Sequence, residues 1–378
     1  MKKYNVLLAA ALLLAACGNN TQLTFTGKAP GLSNAVFAVK DAQGNSLIGE
    51  NIAGGSFTAK TILENTGYGR MSVNKNGDKN NNEFEVYLEP GDYTVEVDAA
   101  KLSNYPKVTS ASSIQKELSA YYATRDELGS SAVAAFNELD GKANSVDAKK
   151  ITAQEYRDLL DRLSKARLRL EEIKFEALKK YAQANPQSTV TAHIMSELEF
   201  KNDPAAYKAI YDGLSTAAKN SDEGKALGEK LNMLMKVQPG STAPGIAGTT
   251  PDGKTFDLKA LDKKIYLVDF WKAGNDLSRS NHNEIRDQLM KHLNMKKVGF
   301  ISISMDNKKD WWTKAIADDK VTWPQYSDLK GNDSANGINW MIPKIPCYFL
   351  VDGNWKIVER DVDFARVETS IRTYLEKH

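Results

Sequence analysis

Residues 265–271 read IYLVDFW, seven positions holding a single charge and no glycine or proline. A β-strand sends successive side chains to opposite faces, so a run that is apolar at odd and even positions alike must be covered on both sides. That restricts its surroundings to a sheet layered between helices. The following segments supply the parts. NHNEIRDQLMKHL (281–293) is amphipathic, VGFISISMD (298–306) is a second apolar strand, KDWWTKAIAD (309–318) is helical, and CYFLVD (347–352) with KIVERD (356–361) reads as a closing hairpin.

Upstream the periodicity changes twice. From Leu23 to about Val97 the pattern is β, with alternation in Phe84-Val86-Leu88 and again in Tyr93-Val95-Val97, and turn formers between the runs. A small antiparallel β-sandwich is expected there, with the Asn-, Lys- and Gly-rich stretch 74–82 as a solvated hairpin loop. That stretch lacks the carboxylate spacing of a calcium loop. Between about Ser112 and Lys236 the period is helical. Tyr156, Leu159, Leu160, Leu163, Ala166, Leu170, Ile173, Ala177 and Tyr181 recur at three- and four-residue spacings, and Thr152 with Glu155 has the form of a capping box. TAHIMSELEF predicts another helix, and Pro204 opens one carrying Tyr207, Ile210, Tyr211 and Leu214. The Pro/Gly/Ser-rich run 237–245 reads as a linker. The expected architecture is therefore multidomain α+β: a β-sandwich over 23–110, a helical middle segment over 111–236, the linker, and an α/β domain over 246–378.

Fifty basic and 48 acidic side chains give a formal charge of +2 without a basic stripe, so a nucleic-acid partner is not expected. The N-terminus places Lys2 and Lys3 before an apolar run shorter than the roughly 20 residues that span a bilayer. It reads as an export signal over 1–16. Leu14-Ala15-Ala16-Cys17 resembles the lipobox of bacterial lipoproteins, which implies cleavage before Cys17, a lipid on its thiol and a tether over 17–22. The expected location is the cell envelope, anchored to a membrane and facing the periplasm or the cell exterior. The chain has two cysteines, so lipidation of Cys17 would leave Cys347 as the mature protein's only thiol, without an intramolecular partner.

Ala243-Pro244-Gly245-Ile246, Leu267-Val268-Asp269-Phe270-Trp271, Ile303-Ser304-Met305-Asp306, Trp323-Pro324 and Ile345-Pro346-Cys347-Tyr348-Phe349-Leu350-Val351-Asp352 occur in that order. Over about Gly240 to His378 the chain resembles the TlpA/ResA type of thioredoxin-like, membrane-tethered thiol-disulfide oxidoreductase. The resemblance implies a thioredoxin-like fold for the C-terminal domain. In that family a cysteine pair separated by two residues opens the helix after the strand, and counting from Asp269 places Asn275 and Ser278 there. Helix N–H groups and the helix dipole lower the pKa of such a cysteine, and exchange needs that thiolate plus a second thiol to resolve the mixed disulfide. An amide and a hydroxyl supply neither. Asn275 or Asp276 is expected to cap the helix instead. The single cysteine that peroxiredoxin chemistry requires at this helix start is missing as well.

The resemblance equates Asp269 with the buried carboxylate of thioredoxins and Pro346 with their cis-proline, whose neighbouring backbone pairs with a substrate peptide. It places Cys347 beside the former dithiol site. A structural role for Asp269, bonded to nearby backbone or water, is expected. His282 and His292 are assigned to surface or interface positions, and neither a metal nor a cofactor is expected. Trp271, Trp323 and Trp340 are expected in the core or lining a groove, and one of Trp311 and Trp312 in solvent. Three functions follow: a redox-degenerate protein that binds an envelope protein or peptide, a monothiol oxidoreductase or redox sensor acting through Cys347, and an envelope ligand-binding protein that works through its β-sandwich.

Overall fold

The computed structural model describes residues 21–77, 82–145, 150–198, 200 and 203–378. The expected signal peptide and Cys17 lie outside the described residues, as does part of the 74–82 loop. The chain divides into two units, Met1–Leu198 with Gly213–Ser221, and Glu199–Asp212 with Asp222–His378.

In the first unit β1 (Gln22–Lys28), β2 (Ala35–Lys40), β3 (Ser46–Ile52), β4 (Ser56–Ile62), β5 (Gly67–Lys75), β6 (Glu83–Leu88), β7 (Gly91–Glu96) and β8 (Lys107–Thr109) form two four-stranded sheets, ordered β4-β1-β7-β8 and β3-β2-β5-β6. Alternation aims Leu23 and Phe25 of β1, Phe37 and Val39 of β2, and Tyr93 and Val95 of β7 into one shared core. Phe57 lies where a Cβ at Gly27 would be, 1.9 Å from its ring carbon, so only glycine fits that point of β1. The expected antiparallel pairing fails at β1 and β7, which run parallel. The chain between them passes through the other sheet, and a connection of that length permits the parallel pairing that a tight turn forbids.

Two long helices follow, α1 (Ser113–Ala143) and α2 (Ala153–Ala184). Glu127 meets Lys180 at 3.0 Å and Phe136 meets Arg167, so they run antiparallel. The Thr152 hydroxyl accepts the Glu155 N–H at 3.2 Å while the Glu155 carboxylate accepts the Thr152 N–H at 2.8 Å, a complete capping box at the start of α2. Next come α3 (Val190–Ser196), α4 (Pro204–Asp212), α5 (Thr216–Asn220) and α6 (Asp222–Met235). The helical segment expected over 111–236 is shared, with α4 and α6 belonging to the second unit. Among the described residues no helix is long and apolar enough to cross a membrane.

The second unit continues through β9 (Ile265–Trp271), α7 (Asp276–Glu284), a π-helical turn (Ile285–Leu289), α8 (Met290–His292), β10 (Val298–Ser304), α9 (Lys309–Asp318), β11 (Gln325–Ser327), α10 (Ala335–Asn339), β12 (Cys347–Asp352), β13 (Ile357–Glu359) and α11 (Val367–Lys377). Its sheet is five-stranded, ordered β11-β10-β9-β12-β13, with β9, β10 and β11 parallel and β12 and β13 antiparallel to their neighbours. Every residue of β9 and β10 is buried. One face gathers Tyr266, Val268, Phe270, Ile301, Ile303 and Phe349 around Trp340 and Trp355. The other gathers Ile265, Leu267, Val298, Phe300 and Leu350 beneath Ile285, Leu289, Val367 and Ile371. Burying one such aliphatic side chain contributes about 1.5–3 kcal/mol, and this double layer is why the strand carries no polar parity.

Candidate functional site at the start of α7

Asp269 has the parity of Ile265 and Leu267 and so faces the α7 side of the sheet. Strand register sets Ser302 of β10 on one side of it and Tyr348 of β12 on the other. Gln325 of β11 stands beside Ser302, so a row of four polar side chains crosses an otherwise apolar sheet. The helix above supplies partners to two of them, and Trp323 to a third. His282 Nε2 lies 2.7 Å from Asp269 Oδ2, the Ser302 hydroxyl donates to the same oxygen at 2.9 Å, and the Trp323 indole N–H donates to Ser302 Oγ at 2.8 Å. Asn281 donates to the Tyr348 hydroxyl at 2.7 Å. Burial, with the Asp269 charge behind it, pushes the Tyr348 phenol well above its ordinary range.

His282 Nδ1 in turn lies 3.7 Å from Asp319 Oδ2. Asp319 caps the end of α9, where a carboxylate opposes the helix dipole, and two arginines offset it. Arg279 grips it through Nε and, at 2.7 Å, through Nη2, and Arg286 donates to its backbone carbonyl at 2.5 Å. Asp269, His282, Asp319 and Arg279 thus form a line of ionisable side chains along α7, of which Asp269 and His282 are each 1% exposed. A line so buried is closed to a solvent-borne substrate.

At the helix start, Asn275 Oδ1 accepts the Ser278 N–H at 2.8 Å, and Asp276 adds a negative charge to the first turn. Of the two expected cap residues, Asn275 and Asp276, Asn275 is the one that caps, and it uses a donor that would otherwise stabilise a thiolate. Ser278 is 1% exposed and its hydroxyl has no hydrogen-bond partner. In front of the cap a cleft of about 540 Å³ is lined by Lys272, Gly274, Asn275, Asn307, Trp311 and Asp333, among others. Leu277 and Trp311 are more than half exposed, and the Lys308 ammonium sits 4.2 Å over the Trp311 ring.

Cys347 does not join this site. Its register partner is Phe270, which puts the thiol on the opposite face of the sheet from Asp269 and His282. There it is 1% exposed, 3.6 Å from Asp361 Oδ1. Burial first, and then Asp361, push the thiol well above its ordinary range. The peptide between Ile345 and Pro346 is cis, and both residues are partly buried just before β12.

One expectation needs correction. His282, assigned to a surface or interface position, is in the core because α7 turns Ser278, Asn281, His282, Ile285 and Leu289 inward. That spacing was present in the sequence and was the signal that could have found it. Asp269 Oδ2 bonds to side chains from α7 and β10. Arg279 and Asp319 were missed altogether, since nothing local joins two residues forty positions apart. Trp271, Trp323 and Trp340 are all buried, and of the neighbouring pair Trp312 is buried while Trp311 is exposed. Among the described residues no group of three His, Cys, Asp or Glu side chains could hold a metal ion.

No family model matches the chain, and no curated protein matches it. Solved structures do. The thioredoxin domain of a thiol-disulfide oxidoreductase from Bacteroides vulgatus is 27% identical, with 36% of this chain and 97% of that one covered at a TM-score of 0.33. A thiol:disulfide interchange protein from Bacteroides sp. is 27% identical over 38% of this chain and 93% of that one, TM-score 0.32. A thiol-disulfide oxidoreductase from Bacteroides fragilis is 21% identical over 35% of this chain and 98% of that one, TM-score 0.33. Likeness at these scores, over little more than a third of the chain, decides nothing about activity.

Proposed function

We propose that the chain is a lipid-anchored protein of the cell envelope, tethered through Cys17, whose thioredoxin-like second unit has given up dithiol exchange and serves to bind a protein partner. The observation that carries this reading is the 2.8 Å bond from the Ser278 N–H to Asn275 Oδ1. The position that a nucleophilic thiolate would occupy is taken by a neutral amide that caps the helix, and the position of a resolving thiol by a sealed hydroxyl. In front of it lies a mostly polar cleft that includes Trp311, and the exposed Leu277 and Trp311 side chains are of the kind that anchor protein interfaces. The first unit is read as a β-sandwich carried ahead of this domain.

Burial of Cys347 and its pairing with Asp361 weigh against the monothiol reading, because exchange requires an accessible thiolate. A ligand-binding first unit has an observation of its own, a cavity of about 510 Å³ bordered by Lys28, Phe84, Lys101, Tyr105 and Lys107.

The test is a disulfide-reductase assay on the chain beginning after Cys17, beside Cys347→Ser and the double variant Asn275→Cys/Ser278→Cys. The first two are expected to show no turnover and the double variant to acquire it. Turnover by the parent that disappears in Cys347→Ser would overturn the reading in favour of a monothiol redox protein. Mass spectrometry of the membrane fraction tests the anchor, for which a diacylglyceryl group on Cys17 is expected.

A further inference from the structure

Among the described residues the most exposed large apolar side chain is Ile62, 69% accessible at the end of β4. Apolar residues scattered singly over a surface are ordinary, so its position has to carry the argument. Strand register sets Ile62 beside Gln22, the first residue of β1, and the next amide, the Leu63 N–H, donates to the Thr21 carbonyl at 2.8 Å. On the other flank of β1, Leu23 pairs with Gly91, which follows the exposed Pro90. Gln22 is five positions from Cys17. Even fully extended, that stretch of chain spans no more than about 18 Å. Lys28, at the opposite end of β1, lies about 20 Å along the strand from Gln22 at the usual rise per residue. A lipid on Cys17 therefore holds the Ile62 end of the sandwich, and not the Lys28 end, close to the membrane.

We propose that this end of the first unit rests on the bilayer, with Ile62 and Pro90 set into the headgroup region on either side of the point where the chain leaves for its anchor. The inference rests on the lipid anchor at Cys17 proposed above. One isoleucine buries too little apolar area to hold a free protein on a membrane, but a chain already held by a lipid meets the surface at high effective concentration, and a small contact then fixes its orientation. Basic residues do not make the contact. The charged side chains that β4, β7 and their adjoining turns place at this end are Lys60, Glu64, Glu89 and Asp92, so anionic headgroups weaken it. The same orientation turns the cavity bordered by Lys28, Lys101 and Lys107 away from the membrane.

The test places a bimane reporter either at Asn65→Cys, in the exposed bend after β4, or at Ser56→Cys, on the same face of β4 at its far end. Each is made in the lipid-bearing chain with Cys347→Ala and reconstituted into phosphatidylcholine vesicles whose acyl chains are brominated near the headgroup. The Asn65 reporter is expected to be quenched several-fold more than the Ser56 reporter. Ile62→Ser, at an exposed position and so neutral to folding, is expected to remove most of that difference, and exchange of phosphatidylcholine for phosphatidylglycerol at low ionic strength to reduce it. Equal quenching at the two positions, no quenching at Asn65, or quenching untouched by Ile62→Ser would overturn the inference. So would a blue shift of the Asn65 reporter that grows with protein concentration in unbrominated vesicles, which would assign Ile62 to a contact between copies of the chain. Mass spectrometry of the same sample separates the two proposals: an unacylated Cys17 would overturn the anchor and this inference together, whereas an acylated Cys17 without quenching at Asn65 would overturn this inference alone.

Discussion

The two faces of the five-stranded sheet are built from the same strands and have opposite chemistry. Residues of one parity in β9 and β12 put Phe270, Phe349 and Cys347 into a dry core; those of the other put Asp269 and Tyr348 against His282 and Asn281. The thiol and the line of ionisable side chains are therefore separated by the thickness of a sheet. Nucleophilic sulfur chemistry needs a thiolate in an electropositive, accessible place. Here the electropositive helix start has no sulfur, and the sulfur has a carboxylate for a neighbour. Which residue a side chain can work with was set by strand parity, a period of two, more than by distance along the chain.

The contrast can be broken most forcefully from the charged face. Asp269→Ala leaves His282 and Ser302 buried without their acceptor and is expected to cost about 3–5 kcal/mol in urea unfolding, whereas Cys347→Ala on the dry face should cost about 1 kcal/mol. Equal losses would mean that the polar row is not a structural element of this face.

Raising the pH sharpens the same comparison. The unfolded thiol ionises from about pH 8.5 upward while the folded one, its pKa raised, stays protonated. The unfolded state then binds fewer protons than the folded state, so the stability present below pH 8.5 falls as pH rises. The expected slope from Cys347 is on the order of 1 kcal/mol per pH unit, and it should vanish in Cys347→Ala. Iodoacetamide should accordingly leave Cys347 unmodified in the folded chain at pH 8.5 and label it after unfolding; rapid labelling of the folded chain would contradict its burial.

Removing the cap is a smaller perturbation. Asn275→Ala is expected to lower stability by about 1 kcal/mol, with Asn275→Asp retaining it, as read from thermal melts. Smallest of all is Leu277→Ser, which exposes less apolar surface and should alter stability by no more than about 0.5 kcal/mol while weakening partner capture; a large stability loss would place Leu277 in the core and not on a docking surface.

Much of this could be read from the chain before it folded. The doubly apolar IYLVDFW required a sheet covered on both faces, Thr152 and Glu155 marked the start of α2, and Asn275 at a strand-to-helix junction announced a cap, because each depends on residues within one turn or one strand. Local periodicity and capping act over a few residues and leave their mark in order. Tertiary structure alone decided that β1 and β7 run parallel, that Arg279 meets Asp319, that His282 completes Asp269, and that Gln325 ends beside Ser302 with nothing to bond. Those pairings join residues of distant segments, and register between strands is chosen by the packing of whole faces, which no short stretch of sequence contains.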